Sequence, residues 1–382
     1  MKVVIIATYF APKLRGGVAR YEKEVLPRLV PVLVGAGCEV SVLTLEDGEG
    51  LAQAAGVNLV RLPVGRDQPF KRILYDQIYG SIHSRRAGVL LSLESWLPVL
   101  PMWSKRSIVV IHDPHAELEW INRHKTRRVR SFPRLLYWHA VSRRAAQASD
   151  RVITVSRFAA EELSHVFKIP LAKIVPIYNG VDNNHLRPIR EPDALERVRQ
   201  RYSLPERFYL FVGPAQGDKN LRFILETFVR LDPADPRALP VVVTAARPAW
   251  PPEANLLGQI EQTGREHLFH FAGAVEERDL PAVYSAAHAL IFPSLHEGFG
   301  LPPVEAMACG VPVLATNRAS VPEVVGDAAI MIDPGNPQSL LDALRRVTDE
   351  SIRRDLINTG FERAKMFSWD HTVDQIAVEV LT

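Results

Sequence analysis

Two glutamates, Glu297 and Glu305, stand eight positions apart around a glycine-rich turn. The stretch reads Glu297-Gly298-Phe299-Gly300-Leu301-Pro302-Pro303-Val304-Glu305. The apolar run 289–292 before it has the pattern of a buried parallel strand. Pro302 and Pro303 suit a first helical turn, where proline's missing N–H would have no intrahelical partner. Gly310 closes that helix, and 311–315 starts another strand. Strand, glycine turn and helix N-terminus together offer N–H groups and a positive dipole end to a phosphate or diphosphate. A carboxylate beside a diphosphate would repel it, so both glutamates suit neutral hydroxyls better. Glu305 could accept from a ribose and Glu297 from a sugar beyond the phosphates. In isolation, the same two residues are more simply a helix cap and a solvated helix residue.

Three further groups could do chemistry. His112 and Asp113 follow the apolar run 108–111, although a lone pair of this kind is by default a core histidine bonded to its neighbour. Gly16 and Gly17 follow the first strand, where two glycines also make an ordinary tight turn. Lys219 lies in the loop from Gly213 to Asn220, and such a lysine alone is usually solvated.

The elements that must position these residues alternate regularly. Strands are predicted over 3–7, 39–44, 58–62, 89–93, 108–111, 152–155 and 174–178, with helical patterns between them. The alternation restarts with strands over 208–212, 241–244 and 268–271, and the chain ends in helical patterns over 337–348, 352–365 and 369–381. Such α/β alternation implies open parallel sheets whose ligands bind beyond the carboxyl ends of the strands. Pro27 and Pro31 fall inside a predicted helix and are expected to kink or shorten it. With 382 residues, two domains are the sensible expectation.

Composition narrows the class. Apolar content of 47% and charged content of 23% are those of a globular protein. No run has membrane-spanning length, and Met1-Lys2 leads straight into a strand, so neither a spanning helix nor a signal peptide is expected. Two cysteines, Cys38 and Cys309, cannot form a disulfide framework or a zinc cluster, which points to a cytoplasmic, metal-poor protein. Residues 1–190 carry 28 Lys+Arg against 16 Asp+Glu, or +12, whereas the remainder sums to −9. The basic half suggests an anionic acceptor or membrane surface. No nucleic-acid-binding motif is visible.

The segment from Glu297 to Val313 resembles the signature of the retaining glycosyltransferases of family 4, with the GT-B fold. The resemblance spans most of the chain and is strongest over 268–334. It implies two Rossmann-like domains facing across a cleft: 1–186 for the acceptor, a linker over 187–206, 207–366 for the nucleotide sugar, and a final helix over 367–382 packing back toward the first domain. It implies transfer of a hexose from a nucleoside diphosphate sugar with retention, without metal or cofactor. The family places a pair similar to Gly16-Gly17 close to the donor diphosphate and the acceptor, and a His similar to His112 near the donor sugar; Asp113 follows it in this chain. Glu297 would position the sugar, and Glu305 would hold the ribose. The loop holding Gly213 and Lys219 would meet the phosphates, as would the N–H groups of Gly298, Phe299, Gly300 and Leu301. The backbone near Val275 would hold the nucleobase. One departure stands out: the family carries Arg where this chain has Asp218, a charge that Arg222 could offset.

The pattern looks nearest to mannosyltransferases of surface polysaccharide assembly, so GDP-mannose is favoured over UDP-sugars, with a glycan or lipid-linked acceptor. Residues 123–138 join a basic run to aromatic residues. They read either as a solvated loop with a core-facing helix or as a peripheral membrane contact through Phe132, Tyr137 or Trp138. Two rival functions share the fold: a nucleotide-sugar epimerase or hydrolase, and a non-catalytic binding subunit, for which Asp218 is the main hint.

Overall fold

A computed structural model describes residues 1–10, 16–45, 57–62, 69–85, 87–98, 104–114, 132–215, 217–232, 235, 237–249 and 253–382. The chain divides into two units. One comprises Met1–Gly180 with Trp369–Thr382, and the other Val181–Ser368.

In the first unit the strands β1 (Lys2–Ile6), β2 (Glu39–Thr44), β3 (Val57–Arg61), β4 (Val89–Ser92), β5 (Arg106–Val110), β6 (Arg151–Thr154) and β7 (Ile174–Pro176) form one sheet. Their order is β3-β2-β1-β4-β5-β6-β7, and every pair is parallel. Val3 to Ile6 are wholly buried, as an unbroken apolar run in a sheet covered on both faces requires. The chain winds outward from β1 through β2 to β3, then returns to lay β4 on β1's other side. The carboxyl ends of β1 and β4 therefore flank a topological switch point.

The helix Gly17–Gly35 runs unbroken for 19 residues with Pro27 and Pro31 inside it. The expected shortening does not occur. Both prolines are exposed, so the helical N–H donors they lack are missing on the face toward water, where the loss costs least. Val25, Leu26, Leu29, Val30 and Leu33 bury the opposite face. The last helix, Trp369–Leu381, packs along this one. Arg28 Nε meets Asp370 Oδ1 at 3.2 Å, and Thr372 Oγ1 donates to the carbonyl of Tyr178 at 2.7 Å.

The second unit holds β8 (Tyr209–Phe211), β9 (Val241–Val243), β10 (Phe269–Phe271), β11 (Ala289–Phe292), β12 (Val313–Thr316) and β13 (Ala329–Ile332). They run parallel in the order β10-β9-β8-β11-β12-β13. Here the switch point lies between β8 and β11. Each unit thus has the doubly wound parallel architecture that the sequence implied.

The stretch 187–206, expected as a linker, contributes a helix to this unit. Pro192–Tyr202 starts with proline in its first turn and buries Val198. It packs on the helix Leu280–Ala286. Tyr202 donates its hydroxyl to Asp279 Oδ2 at 2.7 Å and accepts the Glu276 N–H at 3.1 Å. The helix is polar on average and is flanked by Pro188, Pro192 and Pro205, which is why the segment reads as a crossing.

Candidate active site

At the switch point of the second unit, β8 and β11 pair through Ala289↔Tyr209 and Leu290↔Leu210, so the loops after them emerge side by side. The backbone joins the two loops. Leu295 N–H donates to the carbonyl of Asp218 at 2.7 Å, and Asn220 Nδ2 donates to the carbonyl of Pro293 at 3.3 Å. This brings Lys219 to Glu297, with Nζ 2.5 Å from Oε1. The same ammonium lies 5.6 Å from the centre of the Phe292 ring. The lysine side chain is 26% exposed and the glutamate 13%, so the pair is partly withdrawn from water. Gly213, at φ +133°, lets the aliphatic stem of Lys219 lie against the chain. A Cβ there would stand 3.5 Å from Lys219 Cγ on a backbone that L side chains rarely adopt.

The glycine turn is clamped from behind. Ser320, wholly buried, donates its hydroxyl to the Glu297 carbonyl at 2.8 Å and lies 3.2 Å from that of Phe299. Gly300 takes φ +88° at the entrance to the helix Leu301–Ala308, and as the N-cap residue it brings no side-chain cap to this N-terminus. Phe299 turns its ring inward, edge-on to Phe367 at 5.4 Å between centroids. Glu305 is not a solvated helix residue. It is 3% exposed, and Tyr284 donates its hydroxyl to Oε2 at 2.7 Å. Burial, with the Glu305 charge adding to it, pushes the Cys309 thiol up.

Asp218 is exposed and has no side-chain partner among the described residues. Arg222, expected to offset it, instead reaches Glu226 Oε1 at 2.7 Å, one helical turn on in the same helix. Gly213, Lys219, Glu297, Gly298, Phe299, Gly300, Leu301 and Glu305 all lie on the loops and the helix start that follow β8 and β11. Val275 lies beyond the end of β10, two strands from β8.

In the first unit, Gly16 and Gly17 open a helix after β1, and among the described residues a Cβ on either would meet nothing within 4 Å. His112 follows β5, separated from β1 by β4 alone. Tyr21 meets its ring edge-on, with centroids 4.7 Å apart and planes at 85°. His112 Nε2 is shut off from solvent without a partner among the described residues. Burial holds the ring's pKa down at about 4, against the opposing pull of Asp113, so it is neutral at pH 7.

One carboxylate escaped the sequence reading. Glu94, 2% exposed at the carboxyl end of β4, accepts from both the N–H and hydroxyl of Thr8 at 2.5 Å and from Trp96 Nε1 at 2.8 Å. It ties together the ends of β1 and β4 at the first switch point. An acidic residue directly after an apolar strand was the available signal. Tyr137 and Trp138, candidates for a membrane interface, are partly buried and pack against the first unit's core and each other. Their ring areas are worth more against that core than in water. Residues 123–131 lie outside the described residues. Among the described residues, no group of three or more His, Cys, Asp or Glu could hold a metal ion, and no helix is long and apolar enough to cross a membrane.

Residues 15–185 match the family described as Glycosyltransferase Family 4, and residues 195–363 match Glycosyl transferases group 1. The chain is similar to the O-antigen chain mannosyltransferase B of Escherichia coli, 33% identical over 245 residues that cover 63% of each chain. It is similar also to the serotype-specific mannosyltransferase WbdA of Escherichia coli, 29% identical over 238 residues that cover 62% of this chain and 29% of that one. The chain therefore spans less than two thirds of either relative. Among solved structures, a sucrose-phosphate synthase from Thermosynechococcus elongatus superposes with a TM-score of 0.75 at 19% identity, covering 99% of this chain and 98% of that one. That likeness is one of fold.

Proposed function

Because the chain belongs to the family 4, group 1 glycosyltransferases, we propose that it moves a hexose from a nucleoside diphosphate sugar to a glycan or lipid-linked acceptor in surface polysaccharide synthesis. The observation that carries this reading is the Lys219–Glu297 pair at the carboxyl ends of β8 and β11, beside a helix N-terminus whose N-cap is Gly300. A cation and N–H groups there suit a diphosphate leaving group, and carboxylates suit sugar hydroxyls. Mannose is favoured because both relatives named above are mannosyltransferases, and GDP-mannose is the donor we expect.

In the step proposed, the bond from the anomeric carbon to the diphosphate oxygen breaks and a bond to the acceptor oxygen forms on the same face. The acceptor proton passes to the departing phosphate oxygen. Lys219 and the N–H groups from Gly298 to Leu301 take up the charge that develops on the leaving group. Glu297 orients the sugar, Glu305 the ribose, and neutral His112 lines the reaction centre. Gly16 and Gly17 leave room for the diphosphate and acceptor, and the backbone at Val275 meets the base. No metal takes part. We place the enzyme at the cytoplasmic face of a membrane, touched through the segment 123–138.

The test is transfer from GDP-mannose, UDP-glucose and UDP-N-acetylglucosamine to a lipid-diphosphate glycan, with and without chelator, followed by the anomeric configuration of the product. Acceptor-dependent, chelator-resistant transfer of mannose with retention is expected. Donor consumed without acceptor would replace the reading with a hydrolase or epimerase, and nucleotide binding without any transfer would replace it with a binding subunit.

A further inference from the structure

We propose that Tyr21 and Trp369 are positioning residues that hold the His112 ring in one orientation for transfer. The inference rests on the placement of His112 at the reaction centre. A histidine ring is ordinarily fixed by a hydrogen bond from one of its nitrogens. Here Nε2 has no partner among the described residues, and rotation about χ2 is only broadly restrained by its own torsional preference. What the described residues offer to orient the ring is packing.

The packing is specific. Tyr21 stands in the first turns of the helix Gly17–Gly35 and meets the imidazole at 85°, the edge-to-face geometry that aromatic quadrupoles favour. Trp369, the first residue of the last helix, lies 6.0 Å from Tyr21 between centroids with planes at 74°. Tyr21 is 1% exposed and Trp369 2%. Neither the Tyr21 hydroxyl nor the Trp369 indole nitrogen has a partner among the described residues. The two side chains thus act through their rings, in a row of indole, phenol and imidazole. The last helix of the chain thereby braces a residue placed after β5 more than 250 positions earlier.

The acidic and basic groups that bear on this ring are Asp113, next in the chain, and the Tyr21 phenol, whose ionisation burial pushes far out of range. The row is tested with Tyr21→Leu, which removes the ring, and Tyr21→Phe, which keeps it. Steady-state transfer is measured well below the unfolding temperature, and the His112 imidazole is titrated by NMR. Tyr21→Leu should lower kcat about 10- to 100-fold, the scale of a misplaced catalytic group, with donor KM within about twofold. Its imidazole should titrate closer to the ordinary 6.5. Tyr21→Phe should restore both readings, and Trp369→Leu should move them in the direction of Tyr21→Leu by less.

His112→Ala separates the two levels of the argument. If it leaves kcat unchanged, the placement of His112 falls, and this inference with it. If it lowers kcat while Tyr21→Leu changes neither kcat nor the titration, the bracing role alone is overturned. Should Tyr21→Leu fail to fold, Tyr21→Met, which fills the space with an unbranched chain, carries the same comparison.

Discussion

The Lys219–Glu297 pair makes an asymmetric and therefore exacting demand on binding. Lys219 is proposed to meet the donor phosphates, yet its ammonium is already engaged by a carboxylate at 2.5 Å. A diphosphate must either share the lysine or displace Glu297, and the Glu297 charge also opposes the incoming anion. Removing each partner should act with opposite sign on a nucleoside diphosphate that lacks its sugar. Fully exposed ion pairs are worth about 0.2–1 kcal/mol, and breaking fully buried ones costs about 3–5 kcal/mol. With side chains 26% and 13% exposed, this pair lies between those limits. A competition of about 1–2 kcal/mol corresponds to roughly 5- to 30-fold in affinity. Glu297→Gln should therefore bind GDP roughly 5- to 30-fold tighter while losing transfer from GDP-mannose. Lys219→Met should bind GDP roughly 10- to 100-fold weaker, the cost of a charge-assisted hydrogen bond. Titration calorimetry at low and high salt measures both, and the gain in Glu297→Gln should shrink as salt rises. If Glu297→Gln weakens GDP binding as Lys219→Met does, the two residues act together on the ligand, and the competition argument is refuted.

Other perturbations bear on particular contacts. Tyr284→Phe removes one donor to buried Glu305 and should cost about 1.5–3 kcal/mol, seen as a lower calorimetric midpoint and weaker nucleotide binding; an unchanged midpoint would show that the hydroxyl contributes nothing. Gly300→Ala puts a Cβ on a backbone at φ +88°, 3.4 Å from Phe292 Cε1, and should destabilise by about 1 kcal/mol or more, measured by denaturant midpoint. His112 is neutral when folded, with its pKa held at about 4 against an ordinary 6.5. Between those values the unfolded chain binds more protons, so stability rises with pH there and is lost as pH falls from 6.5 toward 4, by on the order of 3 kcal/mol at most. His112→Asn should flatten that part of the stability–pH curve, and a curve of unchanged slope would show that another group dominates.

What the sequence disclosed and what it withheld divide along a physical line. Strands buried on both faces leave unbroken apolar runs, so β1, β5, β9 and β11 are legible in the sequence. The turn at Glu297 was visible because glycine and proline punctuate it, and Gly300 does take a left-handed conformation. Tyr284 under Glu305, Ser320 under the turn and Glu94 joined to Thr8 were not visible. Each depends on a hydrogen bond between residues 21 to 86 positions apart, and one polar residue in an apolar stretch does not say what it will meet. Pro27 and Pro31 misled for a related reason. Their cost depends on which helix face reaches water, and that is settled by the sheet beneath.

Asp218 shows the same division within a single residue. Its carbonyl accepts the Leu295 N–H and so joins the two loops of the switch point, a duty of the main chain that any residue can perform. Its side chain is exposed, and Arg222 is committed to Glu226 instead of to it. The backbone of this position is thus fixed by the fold, while the side chain is released from it. On the proposed function, the charge that an arginine would supply falls to Lys219 and the turn's N–H groups, with Glu297 as a built-in counter-charge. Asp218→Arg should then tighten GDP binding about as much as one added charge near the surface allows, roughly 0.2–1 kcal/mol or a few-fold, without altering the midpoint of unfolding. A gain far larger than that, on the scale of the loss in Lys219→Met, would mean that position 218 faces the phosphates directly. Asp218 would then be a brake on donor binding, not a bystander.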